Sequence, residues 1–312
     1  MLSVIVITYN PQWNKLKKTI LSILQQKEID VEIVVADDGS KEPCFEEIKT
    51  LFEEYDFTNY QFVENKENQG TIKNFLSGIA VANGEYVYGI SPGDFLFDEL
   101  TLKAFYEYAL KKDIDILFGD VLHYKFNNGK VSVESTELVP KNPTTFNEEK
   151  DLKKAKREFA LGEHITGPGY FRKKEIAKQY LNKTLEYGIK YVEDTTSSIL
   201  ALSDNIRIVH YDRPICWYEE GLGITSNKKA IVFEEIKTVY HELNKQKNYP
   251  AIDCACIRMD VDNNFKRKAL CLIKHPIIYV KHYSYKSKLK KDCYYDKFDK
   301  QQLQTSIEKI LL

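Results

Sequence analysis

Four short β-branched runs alternate with four amphipathic stretches in the first 113 residues, and this alternation limits the fold more than anything else in the chain. Residues 2–7 (Leu-Ser-Val-Ile-Val-Ile), 31–36, 60–63 and 86–90 are the strand-like runs. Between and after them, Leu16, Ile20, Ile23 and Leu24 recur at helical spacing, as do Phe45, Ile48, Leu51, Phe52 and Tyr55. The same spacing recurs in Ile72, Phe75, Leu76 and Ile79, and again in Leu102, Phe105, Tyr106, Ala109 and Leu110. Apolar runs without polar alternation are strands buried on both faces. Alternation of this kind predicts an α/β fold, a mostly parallel central sheet flanked by helices. At 312 residues the chain suffices for one such domain and an appendage.

Ligands of open α/β sheets sit beyond the carboxyl ends of the strands. Three polar clusters occupy those ends: Thr8-Tyr9-Asn10, Asp37-Asp38-Gly39-Ser40, and Asp94 in the turn Ser91-Pro92-Gly93-Asp94. Each has two readings. Asp37, Asp38 or Ser40 caps a helix, or a carboxylate accepts a base N–H and thereby selects uracil. Asp94 caps a turn, or it holds Mn²⁺ or Mg²⁺ together with phosphate and water oxygens. Asn68-Gln69-Gly70-Thr71-Ile72-Lys73-Asn74 opens a helix, either as a plain start with a solvated lysine or as an anion site with Lys73 one turn in.

Beyond residue 114 the pattern changes. Residues 116–124 and 130–133 flank Asn127-Asn128-Gly129, a hairpin turn. Residues 140–160 read as loop then helix, and 162–170 are glycine-rich, with His164 and Gly167-Pro168-Gly169. These are either structural turn residues or a place where an acceptor sugar approaches the backbone. Glu193-Asp194 opens a helix, as caps or as a general base for an acceptor hydroxyl. Residues 206–210 read as a strand, and 217–226 as a mobile loop. The remainder is helical and increasingly basic, with 12 Lys and Arg against 4 Asp and Glu in residues 264–312.

Several chemistries are poorly supported. There is no GxGxxG, GxSxG or HExxH, and the six cysteines are scattered. With no signal-like start and no apolar run of about 18 residues, a reduced, cytoplasmic protein is expected. A net charge of −1 argues against nucleic acid as a partner.

In their order and spacing, these residues resemble glycosyltransferase family 2 enzymes of the GT-A fold, of the type that builds bacterial surface glycans. The resemblance covers roughly residues 2–226. It rests on Val4-Ile5-Val6-Ile7-Thr8-Tyr9-Asn10, on Glu32-Ile33-Val34-Val35-Ala36-Asp37-Asp38-Gly39-Ser40, and on Asn68-Gln69-Gly70 with Lys73-Asn74. Asn83-Gly84-Glu85-Tyr86, the turn at 91–94, residues 167–172, Glu193-Asp194, and Trp217-Tyr218 with Gly223-Ile224-Thr225-Ser226 complete it.

The resemblance implies transfer of a sugar from a UDP-sugar donor to a hydroxyl of a glycan or lipid-linked acceptor. It implies a donor site formed by Thr8, Tyr9, Asn10, Asp37, Asp38, Asn68, Gly70, Lys73, Ser91, Gly93 and Asp94. Asp194 would be the base of an inverting reaction, with Glu193 orienting it or the acceptor. His164, Gly167, Trp217 and Tyr218 would meet the substrates, and the loop to Ser226 would close over them. It implies residues 1–226 as the transferase domain, with a nucleotide-binding half (1–113) and an acceptor-binding half (114–226), and 227–312 as a basic, mainly helical extension. That extension is either a solvated face or a peripheral contact with anionic lipid at the inner face of the cell membrane.

One departure stands out. The family usually carries two or three acids where this chain has Ser91, Gly93 and Asp94, so a divalent metal rests on Asp94 alone. This motivates an alternative, a non-catalytic nucleotide- or glycan-binding relative. A nucleotidyltransferase is disfavoured, because Thr8-Tyr9-Asn10-Pro11-Gln12-Trp13 is not a glycine-rich basic loop.

Overall fold

The structure, a computed structural model, describes the chain apart from residues 128, 134–139, 148–150, 222–227, 248, 289–298 and 312. Among the described residues, nine strands form one sheet: β1 (Leu2–Thr8), β2 (Val31–Asp37), β3 (Tyr60–Glu64), β4 (Tyr86–Ile90), β5 (Phe95–Leu96), β6 (Ile116–Asn127), β7 (Lys130–Val133), β8 (Tyr170–Lys173) and β9 (Ile208–Glu219). Their order is β3-β2-β1-β4-β8-β6-β9-β5, with β7 paired to β6. The first four lie parallel, as the alternation predicts. The second half is mixed, because β8 runs antiparallel to both β4 and β6. β4 and β6 therefore point the same way, and β9 lies parallel to β6. The carboxyl ends of β1, β2, β4, β6 and β9 thus share one edge of the sheet.

Strand alternation divides the core. Leu2, Val4 and Val6 of β1 pack beneath α1 (Trp13–Leu24), α2 (Phe45–Glu54) and α4 (Thr101–Lys112). Ile5 faces the other layer, with Ile72 and Phe75 of α3 (Thr71–Val81), Tyr180 and Leu181 of α6 (Lys174–Glu186), and Ile199 of α7 (Glu193–Ser203). Phe159 of α5 (Leu152–Ala160) joins that layer, as do Val239 and Tyr240 of α8 (Lys229–Lys247) and Ala255 of α9 (Pro250–Asp260). Three further helices follow: α10 (Asn264–Lys274), α11 (Pro276–Lys288) and α12 (Lys300–Leu311). Leu303 and Ile307 of α12 pack on Val131 and Val133 of β7.

The expected hairpin is present, with Asn127 opposite Lys130. The expectation of a loop at 217–226 needs correction in its first part. Trp217 and Tyr218 belong to β9, and Trp217 is paired with Phe95 of β5. Residues 223–226 lie outside the described part of the chain. No helix among the described residues is long and apolar enough to cross a membrane.

Candidate active site

A cleft of about 600 Å³ opens at the shared carboxyl edge of the strands. It has three corners.

The first corner lies between β1, β2 and the start of α3. The Asp38 N–H donates to Thr8 O at 2.9 Å, which continues the β1–β2 ladder one step past the strand. The Asp38 carboxylate then accepts from Gln69 N and Gly70 N, both at 2.8 Å. Gly70 is required here. Its φ is +92°, and a Cβ would lie 2.3 Å from Lys190 Cγ. Thr8, Tyr9, Asn10, Asp38, Asn68 and Gly70 all line the cleft.

Asp37 and Lys73 do not. Asp37 is fully buried and accepts from the Thr8 hydroxyl (2.8 Å), the Ser40 hydroxyl (2.6 Å) and Ser40 N (2.7 Å), so it stitches the strand ends together. Lys73 is exposed on α3, because Ile72, Phe75 and Ile79 take the inward positions of that helix. The anion-site reading of the α3 start loses several of its N–H donors for a related reason, although Thr71 lines the cleft. The Gln69 and Gly70 N–H groups are taken by Asp38, and Ile72 N donates to Lys190 O. Lys15, Arg172 and Lys228 are the cations that line the cleft instead.

The second corner is the acidic turn. Ser91 and Asp94 line the cleft. Asp94 is 6% exposed, and its Oδ1 accepts from Glu219 N at 3.4 Å. Gly93 does not line the cleft. Its φ is +102°, and a Cβ there would lie 2.7 Å from Glu219 Oε2. The Glu219 carboxylate, 7% exposed, therefore stands beside position 93, one of the places where an acid is missing from the turn. Lys15 Nζ meets both Glu219 oxygens at 2.7 Å. Burial pushes the Asp94 carboxyl up to about 8, the Glu219 charge adds to this, and Lys15 opposes it. Asp94, in the turn before β5, and Glu219, at the end of β9, are two buried carboxylates with the Lys15 ammonium on Glu219; hard oxygen donors of this kind suit a divalent cation. A second group, Asp120, His210 and Asp212, keeps its ligand atoms within 4.8 Å of one another. It sits in the β6–β9 pair, where Asp120 Oδ1 meets His210 Nε2 at 2.9 Å, and does not line the cleft.

The third corner is the first turn of α7. Glu193 and Asp194 both line the cleft, against Gly167 on the opposite wall. A Cβ at Gly167 would lie 3.4 Å from Glu193 Oε1 and 3.8 Å from Asp194 Oδ2. Burial raises the Glu193 carboxyl above its ordinary range, the Asp194 charge adds to this, and Arg172 opposes it. Arg172 NH2 lies 3.7 Å from Glu193 Oε1, and its guanidinium lies over the Tyr170 ring at 4.4 Å. The loop before α7 is held from outside the sheet. The Glu235 carboxylate on α8 accepts from Lys190 N (2.9 Å), Tyr191 N (3.0 Å) and Val192 N (3.0 Å).

Of the remaining sequence-marked residues, Tyr218 lines the cleft. Trp217, its neighbour on β9, points to the opposite face and is fully buried, stacked on Phe97 at 6.0 Å. It forms core rather than a substrate contact. His164 is exposed outside the cleft, because the adjacent Glu163 and Ile165 turn inward. Sequence reasoning missed Lys15, Arg172, Glu219 and Glu235. The one available signal was Glu219-Glu220 at a strand end. The wall at Gly167 makes a prediction. Gly167→Leu is expected to fill the space before Asp194 and lower kcat/KM for acceptor at least tenfold. Nucleotide affinity, measured by calorimetry, stays unchanged.

Comparisons with known proteins agree with this architecture. The family model described as Glycosyl transferase family 2 matches residues 3–181. Among curated proteins, "Glycosyltransferase GlyG" of Streptococcus pneumoniae serotype 4 is 28% identical over 129 residues, 41% of this chain and 42% of that protein. "Uncharacterized glycosyltransferase MJ1057" of Methanocaldococcus jannaschii is 26% identical over 180 residues, 57% and 58% of the two chains. The chain thus spans about half the length of the curated relatives it matches. Among solved structures, S. aureus TarS 1–349 in complex with UDP-GlcNAc superposes with a TM-score of 0.57 at 18% identity. That match covers 83% of this chain and 71% of the other. A second structure of TarS 1–349 gives 0.55 at 16% identity, covering 90% and 80%.

Proposed function

Because the chain belongs to glycosyltransferase family 2, we propose that it transfers a sugar, with inversion, from a UDP-sugar to a hydroxyl of a glycan or lipid-linked acceptor. It is a glycosyltransferase with the GT-A fold. The observation that carries the finer reading is the convergence of Asp38, the Asp94–Glu219 pair and Asp194 on one cleft.

In this reading Thr8, Tyr9, Asn10 and Asp38 receive the uridine, with Asn68 and Gly70 at its edge. Asp38, already held by two backbone N–H groups, keeps lone pairs for the base N–H. Asp94 and Glu219 would hold a divalent metal, Mn²⁺ or Mg²⁺, which when bound offsets diphosphate charge. Lys15 beside them and Arg172 across the cleft add fixed positive charge. Asp194 takes the proton of the acceptor hydroxyl as its oxygen attacks the anomeric carbon from the face opposite the diphosphate. A new C–O bond forms, the bond to the UDP oxygen breaks, and UDP leaves with that electron pair. Glu193, tied to Arg172, positions the base, while Gly167 and Tyr218 border the acceptor. Residues 1–113 bind nucleotide, 114–226 bind acceptor, and 227–312 brace the base loop through Glu235. The work belongs to surface polysaccharide or glycoconjugate synthesis, in the cytoplasm or at the inner face of the membrane. Against the non-catalytic alternative, Glu219 offers a carboxylate beside the depleted turn, and turnover of a donor decides between the two.

The test is a panel of UDP-sugars with and without Mn²⁺, read by UDP release and by calorimetric UDP binding. Binding with slow donor hydrolysis is the expected result. Neither binding nor turnover with any donor would sink the reading.

A further inference from the structure

We propose that α10 and α11 form a docking surface for an anionic lipid bilayer, with exposed apolar side chains entering the headgroup layer and a basic pocket behind them receiving a lipid phosphate. This deepens the membrane-side reading above and is tested by binding alone, so its failure is distinguishable from failure of the transferase reading.

Charge is the first observation. Residues 264–288 hold seven Lys and Arg and no Asp or Glu, in a chain whose net charge is −1. Exposure is the second. Phe265 is 82% exposed, Ile273 76%, Ile277 68%, Val280 58% and Tyr283 66%. On α10, Phe265, Leu272 and Ile273 follow the i, i+7, i+8 spacing of one helix face, while Cys271 turns inward and is buried. On α11, Ile278, His282 and Tyr285 face inward at i, i+4, i+7, and Ile277, Val280 and Tyr283 are left outside. Each helix therefore carries an inner face that packs and an outer face that is apolar but rimmed with lysines. Scattered exposed aliphatics are ordinary, but a run of them on adjoining basic helices marks an interaction surface. Apolar side chains flanked by cations are the pattern of helices that lie in a membrane interface.

The third observation is a cavity of about 220 Å³ beside these helices, lined by Arg258, Arg267, Lys268, Tyr279, Tyr283 and Lys286 among others. No carboxylate is among the described residues that line it. Arg267 donates from NH1 to Arg258 O (3.3 Å) and from NH2 to Asp262 O (3.4 Å). Its Nε is buried with no hydrogen-bond partner among the described residues. Burial, and then the Arg258 charge, lower the Lys286 ammonium, while the Glu163 and Glu158 carboxylates oppose this from outside the cavity lining. A phosphate would supply that anion and accept from Arg267 Nε. A second copy of this chain is a poor occupant, because two like surfaces of seven cations repel. A bilayer of anionic phospholipid is both apolar and negative.

The experiment is co-sedimentation of the full chain with phosphatidylcholine vesicles, with and without phosphatidylglycerol, at low and high salt. Wild type should sediment only with the anionic vesicles. The double variant Lys268→Gln/Lys286→Gln should weaken that binding by about fivefold per cation removed. The double variant Ile273→Ser/Ile277→Ser should lose the part of the binding that survives high salt. Ile277→Trp should shift its emission to the blue on adding anionic vesicles. Because all four positions face solvent or the pocket rim, donor hydrolysis stays at the wild-type rate in every variant. Equal sedimentation with both vesicle types, or with neither, overturns the proposal. Release of bound protein by soluble inorganic phosphate at matched ionic strength would assign the pocket to a free phosphate and overturn the headgroup assignment. Self-association abolished by Ile273→Ser/Ile277→Ser, without vesicle binding, would assign the surface to a second copy and overturn it as well.

Discussion

Asp194→Asn is expected to lower kcat for sugar transfer by about 10²–10⁴-fold, the usual contribution of a positioned general base, with UDP affinity unchanged. The expectation is specific to Asp194 rather than its neighbour. Glu193 is buried, faces Arg172 at 3.7 Å, and is raised above its ordinary range by burial. At neutral pH part of its population carries the proton and cannot accept another. Asp194 lines the cleft across from Gly167, and among the described residues no guanidinium pairs with it. Glu193→Gln should therefore cost less in kcat, because Asp194 keeps its carboxylate in place. If Asp194→Asn is as active as wild type while Glu193→Gln is inert, the two roles are reversed.

The second large effect concerns the divided acidic site. Glu219→Gln is expected to weaken Mn²⁺ binding in the presence of UDP by at least tenfold, read by electron paramagnetic resonance of the free ion, and Asp94→Asn by as much or more. Each variant removes one of two carboxylates from a site whose oxygens come from β9 and from the turn before β5. Unchanged Mn²⁺ affinity in Glu219→Gln would remove Glu219 from the site.

Asp94→Asn has a second readout. The folded carboxyl sits at about 8, far above its usual value near 3.9. The unfolded chain therefore loses this proton first, and Asp94 destabilises the metal-free fold progressively as pH rises from about 4 to 8. Replacement by Asn relieves this cost. The metal-free variant should melt a few degrees higher than wild type at pH 8 and alike at pH 4, in calorimetric scans. Bound Mn²⁺ should reverse the order at pH 8, because it stabilises only the chain that binds it.

The strand–helix alternation, the hairpin at 127–130 and the strand-end placement of Thr8, Asp38 and Asp94 were all legible in the linear chain. They follow from periodicity and turn chemistry within a few residues. Which neighbour faces the ligand was less legible. Asp37 and Asp38 are adjacent, yet one is consumed by Thr8 and Ser40 and the other reaches the cleft. Trp217 and Tyr218 divide in the same way across β9. Lys73 looked like the nucleotide cation, but helical spacing turns it to solvent while Lys15, far away in sequence, enters the cleft.

What the sequence determined by itself is therefore the class of fold, the edge of the sheet that carries the cleft, and the family. Only the tertiary structure decided how the depleted turn is completed. β9 pairs antiparallel with β5, and that pairing carries Glu219 to within 2.7 Å of where a Gly93 side chain would begin. The same holds for Glu235, which reaches the base loop from α8. Local propensity reflects a few neighbouring residues. A contact between residues 44 positions apart, as Tyr191 and Glu235 are, or 126 apart, as Gly93 and Glu219 are, is set by strand register and helix packing, which no short window of sequence contains.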